Sequence, residues 1–406
     1  MCKITVYFHA SRLVVTAEKG CGRSVSSGEE LFRVGTADDK SFLKTAWRRT
    51  FRRRLKSWYA GGARDLPWRR TRDPYRIWVS EIMLQQTQVQ TVIPYFERFC
   101  AKFPTLIDLA QASEEQVLQL WEGLGYYRRG RQLHAAAKQL VAEKNGAIPK
   151  SRQELEQLPG VGRYTAAAIL SLAFDIPEPI LEANTIRLFA RLSAMRSEAS
   201  SSQSQKWLWS FSESILPRKE VGEFNQALME LGSVVCTPKS PNCAACPVAD
   251  LCLARQRNLE SKIPVTRPRV ALEKIREAAI VICRKQRFLL RQCGPNERWS
   301  GLWDFPRMRL EDKQESAVAD QIVDGVRNLT GYTVCPGSRI KTLKHGVTRY
   351  QITLDCYEAI ITSSRRKTGN QTPHRWVRAG EFSGVPLSAT GRKIAQHLVA
   401  HPTLET

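Results

Sequence analysis

Four cysteines within a 17-residue stretch constrain this chain more than any other feature: Cys236, Cys243, Cys246 and Cys252, spaced C-x6-C-x2-C-x5-C. The other seven of its 11 cysteines (Cys2, Cys21, Cys100, Cys283, Cys293, Cys335 and Cys356) follow no pattern. No stretch has the charged start, apolar core and small-residue cleavage site of a secretory signal. That points to a reducing cytoplasm, where clustered cysteines indicate a metal site rather than a disulfide framework. Zinc modules usually present two close ligand pairs separated by a longer loop. Here all four thiols sit on one compact loop with a single CxxC step, which suits wrapping a 4Fe-4S cubane. Structural zinc is the alternative. Lys239 inside the loop and Arg255 and Arg257 beyond it can meet a phosphate backbone, or are simply solvated.

Charge supports a polyanionic partner. The chain has 406 residues, with 62 Lys and Arg against 39 Asp and Glu, for a net charge of +23. Residues 1–44 carry 7 basic and 5 acidic residues, 45–262 carry 31 and 21, and 263–406 carry 24 and 13. The excess is therefore spread over two large regions rather than held in a tail. Nucleic acid is the first candidate and an anionic membrane the second; plain solubility is the bland reading. A hydrophobic content of 42% excludes a largely disordered chain. No apolar run reaches the ~18 residues of a membrane helix.

Periodicity divides the chain. Residues 1–40 read as a weakly ordered extension, 41–255 as an all-helical domain, 256–275 as a linker, and 276–402 as a smaller α+β domain. In residues 46–59, Trp47, Phe51, Leu55 and Trp58 form one apolar stripe. Pro74 after Asp73 opens a helix, and helical spacing continues to about residue 101 through Ile82, Val89, Ile93 and Phe96. Helical segments follow near 105–120, 130–144, 165–174, 184–195, 203–216 and 223–234. After residue 275, segments 277–291 and 348–360 read as strands, and 314–329 and 387–399 as helices.

Residues 158–165 read LPGVGRYT and precede the apolar run 165–174. Gly160, Val161 and Gly162 form a tight turn before a helix start, where exposed backbone N–H groups and the helix dipole favour a phosphate. An ordinary helix–helix turn is the bland alternative.

The LPGVG hairpin followed by the four-cysteine loop resembles the helix-hairpin-helix superfamily of base-excision DNA glycosylases. Within it, DLPWRRTRDPYRIWVSEIMLQQTQVQTVIPYFERF and LWEGLGYYRRGRQLHAA resemble the MutY-type adenine glycosylases. Glu81 lies in WVSEIMLQQTQV among Ile77, Trp78, Leu84 and Gln85. Apolar surroundings raise a carboxyl pKa, which suits a general acid near neutral pH; the resemblance implies that Glu81 protonates a ring nitrogen of the target adenine. A surface glutamate in helix salt bridges is the alternative. Glu182 in PILEANTIRLFARL stands where the family usually has Asp. It implies a carboxylate that stabilises positive charge at the sugar or attacks it, with Asn184 orienting it; a helix-terminal acid is the alternative. Tyr164 stands where strand-cutting relatives carry a Schiff-base lysine. The resemblance therefore implies a monofunctional enzyme, with Tyr164 near the sugar, or else a core aromatic. Gln85 and Gln86 are implied to fill the space left in the duplex by a flipped base. Arg69 and Tyr126 are implied to shape the DNA side of the pocket.

In the C-terminal region, WSGLWDFP at 299–306 resembles the family's Nudix-like domain. Its helix at 317–329 has two scattered aspartates and no paired glutamates, which argues against pyrophosphate hydrolysis. The resemblance implies recognition of 8-oxoguanine opposite the adenine. The family's Phe-Ser-His loop maps onto HGVTRY at 345–350, with Thr348 in place of the serine and Val347 in place of the phenylalanine; a sheet-completing strand is the alternative. The whole reading is an adenine glycosylase with a 4Fe-4S cluster, acting as a monomer on double-stranded DNA with A·8-oxoguanine or A·G mismatches. It contacts no membrane and is cytoplasmic, nucleoid-associated if bacterial. A T·G thymine glycosylase and a non-catalytic DNA-binding protein are the competing readings.

Overall fold

The computed structural model describes residues 44–267, 271–311, 315–364 and 373–401. The extension expected over 1–40 lies outside them.

The first region is helical: α1 (Thr45–Ala60), α2 (Pro74–Leu84), α3 (Val89–Lys102), α4 (Leu106–Gln111), α5 (Glu114–Trp121), α6 (Arg128–Lys144), α7 (Arg152–Glu156), α8 (Arg163–Phe174), α9 (Ala183–Leu192), α10 (Ser202–Ile215), α11 (Val221–Glu230) and α12 (Leu253–Gln256). It has two cores. One gathers apolar residues of α2 to α8, including Trp78, Phe99, Trp121 and Ile169. The other gathers α1 and α9 to α12, including Phe51, Phe189, Phe211 and Leu228.

Two details depart from the periodicity. On α1 the buried stripe is Trp47, Phe51, Leu55 and Tyr59, with Trp58 only partly covered. Strict four-residue spacing selects Tyr59, whose hydroxyl also donates to Gln226 Oε1 at 2.6 Å. The helix expected from Pro74 to residue 101 is two helices. Asp73 caps the first by accepting from Tyr75 N. The backbone leaves helical geometry at Gln85 (ψ 111°) and turns left-handed at Gln86 (φ 58°). Glu81 therefore sits in the last turn of α2, and the two glutamines occupy the break.

The second region contains β1 (Glu273–Arg284), β2 (Arg287–Gln292), β3 (Trp303–Asp304), β4 (Arg307–Leu310), α13 (Glu315–Thr330), β5 (Tyr332–Val347), β6 (Tyr350–Ser364), β7 (His374–Arg378) and α14 (Ala389–Ala400). The strands order as β3-β2-β1-β6-β5, with β4 paired to β1 and β7 to β2. β1 runs parallel to β6 and antiparallel to β2 and β4. Both faces of β1 are covered, so it reads as a near-continuous apolar run. Ala278, Ile280 and Ile282 pack with Val318, Ile322 and Val326 of α13. Ala279 and Val281 pack with Ile394, Ala395 and Leu398 of α14. The single strand expected over 277–291 folds as a hairpin that turns at Lys285 and Gln286, both with positive φ, the geometry of a tight two-residue turn.

The segment 256–275, read from sequence as a linker, is anchored at both ends. Ile263 is buried in the second helical core, Val265 bridges to Glu198, and Arg267 pairs with Glu198 at 2.6 Å. β1 has already begun at Glu273. The two regions also meet directly. Leu302 is buried in the first helical core. Arg392 of α14 binds Glu122 at 2.7 Å, Arg375 of β7 binds Glu115 at 2.8 Å, and Arg131 donates to Ser300 Oγ at 2.7 Å. No helix among the described residues is long and apolar enough to cross a membrane.

Candidate active site

A cavity of about 430 Å³ opens between the two helical cores. Its lining includes Glu81, Gln85 and Gln86 from the end of α2 and beyond, Tyr164 from α8, Glu182 and Asn184 from the start of α9, and Arg69. Residues that the sequence separates by a hundred positions thus share one space.

Glu81 is 4% exposed. Burial pushes its carboxyl up to about 7; the Tyr164 hydrogen bond opposes that shift and the Glu182 charge adds to it. Tyr164 Oη donates to Glu81 Oε2 at 2.7 Å and lies 3.3 Å from Met229 Sδ. Burial, with the two carboxylates nearby, holds the Tyr164 phenol well above its usual value, so it remains a donor.

Glu182 is the extended N-cap of α9. Its Oε2 accepts from Asn184 N at 2.8 Å and Asn184 Nδ2 at 3.1 Å, and its Oε1 from Thr185 N at 2.9 Å. Thr185 Oγ1 accepts in return from Glu182 N at 2.8 Å, completing a capping box. Burial raises the Glu182 pKa, while the Asn184 and Thr185 bonds and the Arg187 charge act to lower it. Asn184 is held in turn by Arg187 Nη2, 2.9 Å from its Oδ1. Gly232 makes this packing possible, because a Cβ there would stand 2.7 Å from Asn184 Cβ.

Arg69 lines the cavity but is engaged: its Nη2 lies 2.8 Å from Glu230 Oε2, and its guanidinium stacks over Tyr59. Arg64 binds the same carboxylate at 2.7 Å. Burial of Glu230 is outweighed by these two arginines, which bring its carboxyl down to about 2. Neither Arg64 nor Glu230 stood out in the sequence; the available signal was an acid on the apolar face of VGEFNQALME, one position before Leu231.

Gln85 and Gln86 stand at the cavity, with Gln85 Nε2 3.3 Å from Thr165 Oγ1. Tyr126 does not line it; this side chain is 55% exposed and faces the Arg129 guanidinium at 5.4 Å. In the hairpin, Val161 is buried, Gly160 turns left-handed (φ 78°) and Gly162 is the N-cap of α8. A Cβ at Gly160 would meet Gln132 Cβ at 2.8 Å. Thr348 lies far along the chain at the β5–β6 turn, with φ 51° and its hydroxyl bonded to Val347 O at 2.8 Å. It contributes nothing to the cavity.

Cys236, Cys243, Cys246 and Cys252 all line a second, smaller pocket with Leu188, Leu192 and Val248. None is in a disulfide. Burial pushes Cys246 up to about 12 and Cys252 up to about 11, and neighbouring cysteines add to both shifts. Metal ligation needs thiolates, so a cationic core must offset the burial of Cys246 and Cys252, and Arg191 Nη1 lies 3.3 Å from Cys236 Sγ as a further positive charge beside the loop. The donor set and its setting fit an iron–sulfur cluster.

Comparison with known proteins agrees with this anatomy. Residues 79–214 match the HhH-GPD superfamily base excision DNA repair protein family, 236–252 the iron–sulfur binding domain of endonuclease III, and 277–397 the NUDIX domain. The adenine DNA glycosylase of Rattus norvegicus is 33% identical over 92% of this chain and 82% of its own. That of Buchnera aphidicola (strain Sg) is 35% identical over 65% of this chain and 76% of its own, and that of Homo sapiens 49% identical over 51% and 40%. With this likeness running through the helical domain, the cysteine loop and the sheet domain alike, the chain belongs to the adenine DNA glycosylases, the iron–sulfur enzymes of base-excision repair that remove adenine from DNA.

Proposed function

We propose that this chain excises adenine mispaired with 8-oxoguanine, and with guanine, as a monofunctional glycosylase that leaves an abasic site. The observation that carries the reading is the triplet in the cavity: a buried Glu81 held near neutrality, bonded to Tyr164, with the capped Glu182 alongside. Protonated Glu81 gives its proton to a ring nitrogen of the extruded adenine, making the base a better leaving group. Tyr164 keeps that carboxyl aimed. As the glycosidic bond breaks, Glu182 stabilises the sugar cation, and water or Glu182 itself captures it. Asn184 orients Glu182. Tyr164 supplies no amine for a Schiff base, so the backbone stays intact. The cluster, when bound, braces the cysteine loop as a DNA-facing surface. The basic C-terminal domain reads the opposite base. The cavity is complete within one chain, so a monomer suffices.

The test uses the holoprotein with duplexes holding A·8-oxoguanine, A·G, T·G or no mismatch, followed by alkali. Alkali-dependent breaks at A·8-oxoguanine, weaker at A·G, are expected. Their absence at A·8-oxoguanine overturns the reading, breaks at T·G alone point to a thymine glycosylase, and breaks before alkali overturn the monofunctional assignment.

A further inference from the structure

Arg129 is 8% exposed, no carboxylate is paired with it among the described residues, and only its Nε lacks a hydrogen-bond partner. A buried guanidinium without a counter-ion is costly unless other groups satisfy it. Its Nη1 donates to Ile82 O and Met83 O, both at 2.9 Å, and to Gln85 O. Its Nη2 donates to Thr87 Oγ1 at 3.2 Å and Gly125 O at 3.1 Å. Trp121 and Tyr126 stack on the guanidinium at 5.7 and 5.4 Å. Three of the acceptors are carbonyls at the end of α2, where the helix dipole is negative and a cation is favoured.

The placement goes beyond a helix cap. One planar group joins two loops, 85–88 and 123–127, and each contains a non-glycine residue in left-handed geometry: Gln86 (φ 58°) and Tyr126 (φ 49°). Such conformations persist only where the surroundings over-determine them. Glu81, one turn before the first loop, lies on the same helix.

We propose that Arg129 is a positioning residue that locks the Gln85–Thr87 and Gly123–Tyr127 loops into one rigid rim, so that Gln85 and Gln86 are pre-set to replace the adenine drawn out of the duplex. This rests on the adenine-excision reading. The rim acts on base extrusion and not on the bond-breaking step. Loss of the lock therefore matters most where extrusion is costly, and least where the base is already unstacked.

The experiment measures single-turnover rates of the holoprotein on adenine in a full A·8-oxoguanine duplex and on adenine in an unpaired bulge. Arg129→Met should keep its iron content and slow the duplex reaction about 100-fold, the scale of a small misplacement of positioned groups. On the bulge it should slow only a few-fold. Arg129→Lys, a point charge that cannot bridge both loops, should fall between. Equal losses on the two substrates, or no loss on the duplex, overturn the proposal. Should Arg129→Met not fold, Thr87→Val removes one of the five bonds and carries the same comparison: a few-fold loss confined to the duplex supports the lock, and an equal loss on both overturns it. Failure of the wild type to release adenine from either substrate overturns the parent reading instead.

Discussion

At the scale of single residues, the acid role proposed for Glu81 comes with a stability cost. Its carboxyl sits at about 7 against an ordinary 4.5, chiefly through burial. As an acid it works only when protonated, so the single-turnover rate should fall about tenfold per pH unit above 7. Glu81→Gln should bind A·8-oxoguanine duplex as wild type does and lose turnover; an unchanged rate would remove Glu81 from the mechanism. Stability follows the same proton. A raised folded pKa means that the native state holds the proton more tightly than the unfolded chain, so stability declines as pH rises from 4.5 to 7 and stays down above that. The loss is on the order of 3 kcal/mol. Glutamine keeps the shape and can still accept from Tyr164 Oη without the buried charge. At pH 8, Glu81→Gln should therefore melt above wild type, the gap closing toward pH 5; a variant melting below wild type at pH 8 would contradict this. Glu81, Tyr164, Glu182 and Asn184 were legible because each sits in a contiguous run with a recognisable neighbour pattern. Glu230 and Arg129 were not, because what defines them is a partner set contributed by distant loops, 161 positions away for Arg69 and Glu230.

At the scale of elements, α9 places two demands on one carboxylate. Its first turn has N–H groups to satisfy, and Glu182 meets those of Asn184 and Thr185 while facing the cavity. Asp is the more common N-cap, and one methylene fewer still reaches those donors. Glu182→Asp should retain activity within about tenfold, whereas Glu182→Gln, equal in length but uncharged, should lose 10²–10³, the scale of removing one preorganised electrostatic contact. Single-turnover rates on an A·G duplex distinguish charge from reach; equal rates for Asp and Gln variants would deny the charge a role. Elements also show where periodicity misleads. Ile82, Val89, Ile93 and Phe96 keep helical spacing across the α2–α3 break because both helices bury the same side in the same core. The groups that meet the break come from Arg129 on another helix, which binds the carbonyls of Ile82, Met83 and Gln85 and the Thr87 hydroxyl, so the apolar spacing does not announce it. β5 was missed for a related reason: TVCPGSRIKTLKH contains Pro and Gly, and its pairing with β6 shifts register between Thr333 and Val334, Pro336 and Arg339, and Arg339 and Lys341.

At the scale of the molecule, the proposed reading of the opposite base by the sheet domain requires a firm joint to the helical domain. That joint runs along α5 and α6. Leu302 is buried in the helical core, and flanking it are Arg375 with Glu115, Arg392 with Glu122, and Arg131 with Ser300. The composition forecast two basic regions facing DNA; it did not reveal that the helical domain meets the sheet domain with acidic residues of α5 and its C-cap, so that local attraction overrides the general repulsion between two positive bodies. Glu115 and Arg375 are about 40% exposed, so the pair adds less than 1 kcal/mol to stability by itself. Reversal is more telling than deletion, because it sets like charges at the contact. Glu115→Arg should lower the preference for A·8-oxoguanine over A·G several-fold at low salt, by loosening the reading domain while leaving the cavity intact. Adding Arg375→Glu restores both the attraction and the wild-type net charge, and should return the preference. Taking the ratio of two substrates for each protein cancels general changes in DNA affinity. Because a contact this exposed is screened once the Debye length shrinks to a few ångströms, the defect should fade toward 1 M salt. A preference unmoved by Glu115→Arg, or unrestored by the double reversal, would mean that the two domains need no ionic joint to act together on the mismatch.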